Sequence, residues 1–311
     1  MADPIYWKSK IFLAKLEATY GTDAAPGATD AIYATDVSLS PMEGTDVARD
    51  LELPYLGALG SVPVDLHRKL SFKVELTGSG TAGTAPAWGK LLRGCAVAET
   101  ISAGTSVTYN PVSDGHESLT IHFLVGATRY RLLGARGTAK FVLNASGIPM
   151  IEFEFTGLYS AVSEESRPAT DFSAWQRPTV VSSANTPTVT INAVSTVMRN
   201  FSLDLANSVE PRFLVGGESI LITDRADMIE AQVEAVPVTT LDPYALAVAQ
   251  AQVDVTVVHG TQAGHVATIN APAAQMMRPQ GLTNAQNITE WPLRLQPVPQ
   301  AGNDQWTLVL T

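Results

Sequence analysis

Leu70-Ser-Phe-Lys-Val-Glu-Leu76, followed by Thr77-Gly-Ser-Gly-Thr-Ala-Gly-Thr-Ala-Pro-Ala-Trp88, decides how this chain is read. Leu70, Phe72, Val74 and Leu76 alternate with Ser71, Lys73 and Glu75, and Lys69 extends the polar set. A period of two describes a strand with one face in a core and the other in water, as in an antiparallel sheet. The glycines that follow match Gly-x-Gly-x-x-Gly at Gly78–Gly83, a pattern that in dinucleotide-binding units follows a buried parallel strand and opens a helix. Here the strand is amphipathic, and Thr84-Ala-Pro86 delays the helix beyond the glycines, so helical N–H groups do not meet a phosphate held there. A flexible turn is the expected role, and a dinucleotide-binding oxidoreductase using Gly78–Gly83 is the remote alternative. Trp88, Leu91, Leu92 and Cys95, spaced by three and four after Pro86, predict a short amphipathic helix.

On the N-terminal side, Lys10–Leu16 and residues 31–39 are expected strands, separated by a loop around Thr19–Gly27. Between residue 39 and the deciding strand lies Asp46-Val-Ala-Arg-Asp-Leu-Glu-Leu-Pro-Tyr-Leu-Gly-Ala-Leu-Gly60, broken by Pro and Gly yet rich in apolar side chains. A long loop with an apolar tip folds down on its own domain or docks on something else. Asp46, Arg49, Asp50, Leu51, Leu53, Tyr55 and Leu56 mix charge with apolar anchors, the composition of a subunit contact. On the C-terminal side, short strands at 107–109, 118–125, 129–133, 138–143 and 149–156 are spaced by Gly, Asn and Ser turns. Such spacing predicts a mainly β chain, a β-sandwich or β-barrel.

Residues 161–188 lose apolar periodicity and gain Pro168, Pro178 and Pro187, which marks a linker between a domain at 1–160 and a second at 189–311. The second repeats the order of the first. Phe201-Ser-Leu-Asp-Leu205 stands for Val37-Ser-Leu-Ser40, Ser208–Val215 for the long loop, Met228–Ala235 for the deciding strand, and Asp242–Ala249 for the helix. Asn144–Phe155 aligns without a gap on Asn284–Leu295, so Ile148, Ile151, Phe153 and Phe155 fall on Ile288, Trp291, Leu293 and Leu295. The inward face is kept and the outward face is not, as expected of duplicated cores. Arg212, Phe213 and Leu214 take the place of the loop contact in this second copy.

Composition excludes several classes of function. The 311 residues carry a formal charge of -10 with scattered cations, which argues against a surface that grips nucleic-acid phosphates. A single cysteine, Cys95, in an apolar run excludes a disulfide framework and a thiolate zinc cluster and reads as a buried structural thiol. No run of eighteen apolar residues occurs and the start lacks a signal core, so a chain made in the cytosol without a membrane partner is expected. His67, His116, His122, His259 and His265 are dispersed, and neither a hydrolase Gly-x-Ser-x-Gly nor a phosphate loop is present. Asp114-Gly-His116 reads as a turn. Arg129, Arg131, Arg136 and Lys140 cluster on an expected hairpin, where they neutralise nearby carboxylates or form a subunit contact. The expectation is therefore no catalytic residue, no metal and no cofactor.

Several runs together resemble the major tail tube proteins of long-tailed, siphovirus-type bacteriophages. They are Lys10–Thr22, Val47–Gly57, Val74–Pro86, Leu133–Gly137, Phe155–Tyr159 and, more weakly, Ile222–Arg225. The resemblance implies tandem tail-tube-like β-sandwich domains, each with one short flanking helix and a long loop, that polymerise into stacked rings around a channel for genomic DNA. It implies a virion protein assembled in the host cytoplasm, with itself, the tape measure, the terminator and distal tail proteins as partners. With two such domains per chain, three chains complete a threefold ring with pseudo-sixfold symmetry; a hexamer of chains is the simpler family pattern. Hub, distal or terminator proteins of the same fold are the nearest alternative. A conduit for DNA should not bind it, and Glu152, Glu154, Glu230, Glu234 and Glu290, on polar faces of alternating strands, are the candidate lumen residues.

Overall fold

The computed structural model describes residues 4–311. The first half contains β1 (Lys10–Leu16), β2 (Thr35–Ala48), β3 (Ser61–Glu75), α1 (Gly89–Arg93), β4 (Val97–Ser102), β5 (Ser106–Pro111), β6 (Leu119–Val125), β7 (Thr128–Asn144), β8 (Met150–Tyr159) and β9 (Ser163–Glu164). The second contains β10 (Thr188–Ile191), β11 (Val194–Ser195), β12 (Met198–Asp204), β13 (Asn207–Leu214), β14 (Gly217–Arg225), β15 (Met228–Glu234), α2 (Pro243–Val248), β16 (Gln252–His259), β17 (Ala267–Met276), β18 (Thr283–Ala285), β19 (Ile288–Pro297) and β20 (Thr307–Leu310). The chain is mainly β, with two short α-helices.

One layer is an antiparallel run β2–β3–β8–β7 that passes without a break into β12–β15–β19. The pairing β2–β3–β8 of the first half thus recurs as β12–β15–β19 in the second. At the junction Lys140–Asn144 of β7 pairs with Asn200–Asp204 of β12. The opposing layer runs β4–β5–β20–β17–β16–β10, with the C-terminal β20 seated between strands of the two halves. β6 carries β1 and pairs with the first part of β7.

The period of two places the core. Leu70, Phe72 and Val74, Ile151, Phe153 and Phe155, Phe201 and Leu203, and Leu293 and Leu295 all point inward and are buried. Each such side chain contributes about 1.5–3 kcal/mol of burial. One cluster extends through both halves, and Phe141 meets Trp306 across them at a centroid distance of 6.2 Å. Trp175 of the expected linker donates from Nε1 to the Ala31 carbonyl at 3.1 Å, and Phe172 stacks on Tyr33 at 4.0 Å. Residues 161–188 are therefore packed rather than hanging free, with Phe172 and Trp175 on the first half and Thr179, Asn185 and Thr186 bonded to His259 and Gly260 of the second.

Two local expectations change. The first helix starts at Gly89 rather than at Pro86, because the Pro86 carbonyl is taken by the Gly89 N–H (2.9 Å) in a tight turn that leaves five helical residues. The glycine turn is packed, not flexible. Gly80 N–H donates to the Gly264 carbonyl at 3.0 Å, and a Cβ on Gly78 would lie 1.9 Å from the Gly264 oxygen. The space a pyrophosphate would need is filled by the chain's own backbone.

Candidate assembly surfaces

β2 and β3 run past the edge of the layer as an arm. Their pairing continues to Ala48 opposite Ser61, so Asp46 is on a strand, while Arg49, Asp50, Leu51, Leu53, Tyr55 and Leu56 lie in the irregular tip. Register shifts between Ser40 and Thr45 twist the arm away from the sheet. Its apolar side chains stay in water: Leu51 is 53% exposed, Tyr55 69% and Leu56 fully so. The arm thus does not fold down on its own half. Its root is fixed by Arg68, whose buried guanidinium donates to the carbonyls of Pro41 (2.7 Å) and Arg131 (2.6 Å) and lies 4.4 Å from the Tyr159 ring centroid. Sequence reasoning passed over Arg68, although a cation in register with Leu70 and Phe72 was the available signal.

The second half has a shorter projection at the same place, between β12 and β15. β13 and β14 form a separate two-stranded hairpin that bends back over the first half. Asn207 Nδ2 donates to the carbonyls of Cys95 (2.8 Å) and Gly137 (3.0 Å), and Arg225 donates to those of Ala96 (2.9 Å) and Val112 (3.2 Å). Ile220 is fully buried, its N–H donating to the Tyr20 hydroxyl (2.6 Å) and its carbonyl accepting from Arg136 (2.9 Å). At the tip, Phe213 sits 6.2 Å from the His67 ring, while Leu214 and Arg212 are exposed. Phe213 and Leu214 share a surface hollow with Pro63–Leu66 at the root of the arm, but not with the candidate residues of the arm itself.

The outer face of the layer β2–β3–β8–β7–β12–β15–β19 is polar and laced with ion pairs. Lys73 lies between Asp36 (3.5 Å) and Glu152 (3.0 Å), and its bond to Glu152 holds the ammonium above its ordinary pKa. Lys140 reaches Asp204 (3.6 Å) and Glu230 (4.0 Å), and Arg294 reaches Glu230 (3.5 Å). Glu154 is exposed and Glu234 half-buried, and neither makes an ion pair among the described residues. Glu290 departs from the expectation of an open carboxylate. It is 2% exposed, gripped by Arg199 Nε (2.8 Å) and Nη2 (2.5 Å) with Gln232 Nε2 also donating, and this grip holds its carboxyl below the usual range. Four of the five candidate carboxylates thus remain partly open on this face.

The other sequence candidates have structural surroundings. Cys95 is fully buried, and burial pushes its thiol well up. Arg129 pairs with Glu165 (2.8 Å) and Arg131 with Asp23 (3.4 Å), Arg136 donates to three carbonyls, and Lys140 belongs to the polar face. The basic cluster is spent within the chain. Gly115, at the centre of Asp114-Gly-His116, has a φ of 68°, as a turn requires.

A family model described as phage tail tube protein matches residues 7–297. A comparison with curated proteins returned no match.

Proposed function

The chain belongs to the phage tail tube protein family, and on that premise we propose that copies of it join head to tail into closed rings that stack as the tube of a bacteriophage tail. The observation that carries this reading is the β7–β12 junction. Strand β12 opens the second-half run β12–β15–β19 and takes a neighbour from the first half; β2 opens the equivalent run β2–β3–β8 and, among the described residues, has no strand on its outer side. Residues 277–285 lie along β19 at the opposite end of the layer, with Met277 N–H donating to the Arg294 carbonyl at 2.9 Å and Thr283–Ala285 pairing with β19. A second copy that offers its β2 to this end repeats the internal junction between chains. Such a contact joins two different patches, and it yields a ring when its rotation closes.

We read the chain as two copies of one tube-fold unit, 1–160 and 189–311, tied by 161–188. Three chains then place six units around the axis. In this arrangement the polar face lines the channel, with Glu152, Glu154, Glu230 and Glu234 toward the lumen and Glu290 held back by Arg199. Carboxylates alternating with paired cations keep a polyanion hydrated and unattached, which suits a passage for DNA. Tape measure, terminator and distal tail proteins are the partners of such a tube. Electron microscopy of purified protein, or of virions, tests the reading. Long tubes of stacked threefold rings are the expected result. Single rings that never stack would assign the chain to a hub or terminator, and isolated monomers under all conditions would overturn ring assembly.

A further inference from the structure

Within the chain, the β13–β14 hairpin covers the turn that leaves α1: Gly94, Cys95 and Ala96 are all buried beneath it, and their carbonyls receive Asn207 and Arg225. The turn that leaves α2 is similar in outline, though its left-handed Gln250 directly follows the capping Ala249, whereas Ala96 comes two residues after the capping Gly94. Ala96 and Gln250 both adopt a left-handed backbone, with φ of 56° and 53°. In each half the turn is tied to the matching strand by one bond, Gly137 N–H to the Gly94 carbonyl and Met276 N–H to the Ala251 carbonyl, both 3.1 Å. Yet nothing covers the second turn: Val248 is 86% exposed, and Ala249 and Gln250 are open to solvent. Val248 is thus an apolar side chain left in water at a turn whose counterpart in the first half is covered.

The arm is the unmatched counterpart. It leaves the layer between β2 and β3, as β13–β14 leaves it between β12 and β15, and its flank carries Val47 opposite Val62, 53% and 48% exposed. We propose that the arm of one copy seats on the α2 exit turn, Val248–Ala251, of the next copy in the ring, taking the place that β13–β14 takes over α1 inside the chain. The occupant is a second copy of this protein, and the proposal rests on the ring reading above. The bare α2 turn and the arm are then the two halves of a contact between chains that repeats the one α1 and β13–β14 make within each chain. The arm acts within a ring, and stacking between rings is left to other surfaces.

Disulfide trapping tests this with the full chain, since native Cys95 is buried and does not compete. In a mixture of V62C and V248C single variants, oxidation after assembly should give a mixed dimer that neither variant gives alone. The V62C/V248C double variant should close at the ring number and go no further on a non-reducing gel. Rings that form with these thiols left free, or a ladder running past the ring number, would overturn the seat while leaving the ring reading intact. A protein that stays at monomer mass in light scattering removes the ring reading and this proposal with it. As a second measurement, V248E should abolish rings with an unchanged melting temperature, because the side chain is in water in the monomer; rings as abundant as in the unsubstituted protein would count against the seat.

Discussion

Asp227 shows how a single residue couples stability to pH. Its carboxylate is 5% exposed and accepts from Gln305 Nε2 and Trp306 Nε1, each at 3.1 Å, while burial raises its pKa. A raised carboxylate contributes stability that is fully present below its ordinary pKa and is lost as pH rises through the elevated one. The D227N variant should therefore have a melting temperature that falls less than that of the unsubstituted protein between pH 4 and pH 7. Parallel pH profiles of the two proteins would contradict this assignment. Gln305 Oε1 has no partner, so a flipped amide can receive the new Asn N–H group. Arg68 and Glu290 carry a related lesson. Both are charged and buried, and both are held by partners distant in sequence, Arg68 Nε and Nη1 by the Pro41 and Arg131 carbonyls and Glu290 by Arg199, while Arg68 Nη2 makes no hydrogen bond among the described residues. Alternation put Glu290 on a polar strand face and passed over Arg68, and no local pattern tells which polar residue will be capped by a neighbour.

At the scale of elements, the arm and the β13–β14 hairpin differ in what they hold down. The hairpin places Ile220 in a fully buried site and donates hydrogen bonds to the first half, whereas the tip of the arm leaves Leu56 wholly in water. Replacing residues 49–60 with a two-residue Asn-Gly turn, which suits an antiparallel pair, should leave the melting temperature within about 2 °C, since surface changes away from buried contacts fall within about 0.5 kcal/mol. The same variant should lose tubes in electron microscopy. A large drop in melting temperature would mean instead that the tip packs on its own chain in solution. Strand positions were legible from the period of two, and the loop was legible as an arm from its apolar residues among Pro and Gly. Its rigid flanks were not, because the pairing of Thr45–Ala48 with Ser61–Val64 breaks register and follows no clean alternation. The start of α1 was misplaced for a related reason: Pro86 is tolerated in a first helical turn, but here it serves the tight turn before it.

For the whole molecule, the continuous layer across β7 and β12 has an energetic consequence. The halves share backbone pairing at β7–β12 and β5–β20 and one apolar cluster, so unfolding one would expose strand edges and apolar surface of the other. Assembly should therefore add whole chains, never half-chains. Native mass spectrometry of isolated rings should give three times the 33.0 kDa chain mass. Six times that mass would replace the threefold ring by a sixfold one and contradict the reading of two tube-fold units per chain.

The sequence by itself determined the mainly β class, the inward and outward faces of most strands, with Ile148 and Ile288 exposed rather than inward, the exposed arm and the family. These follow from side-chain period, from turn residues and from similarity runs, all of which act over a few neighbouring positions. Only the tertiary structure decided that the expected linker packs on both halves, that the glycine turn closes against Gly264, and that Glu290 lies under Arg199. It also decided that the hairpin covers one helix exit and leaves the other bare. Each of those depends on residues from tens to nearly two hundred positions apart meeting in space, and the contacts that form are chosen by packing of the two layers rather than by local preference.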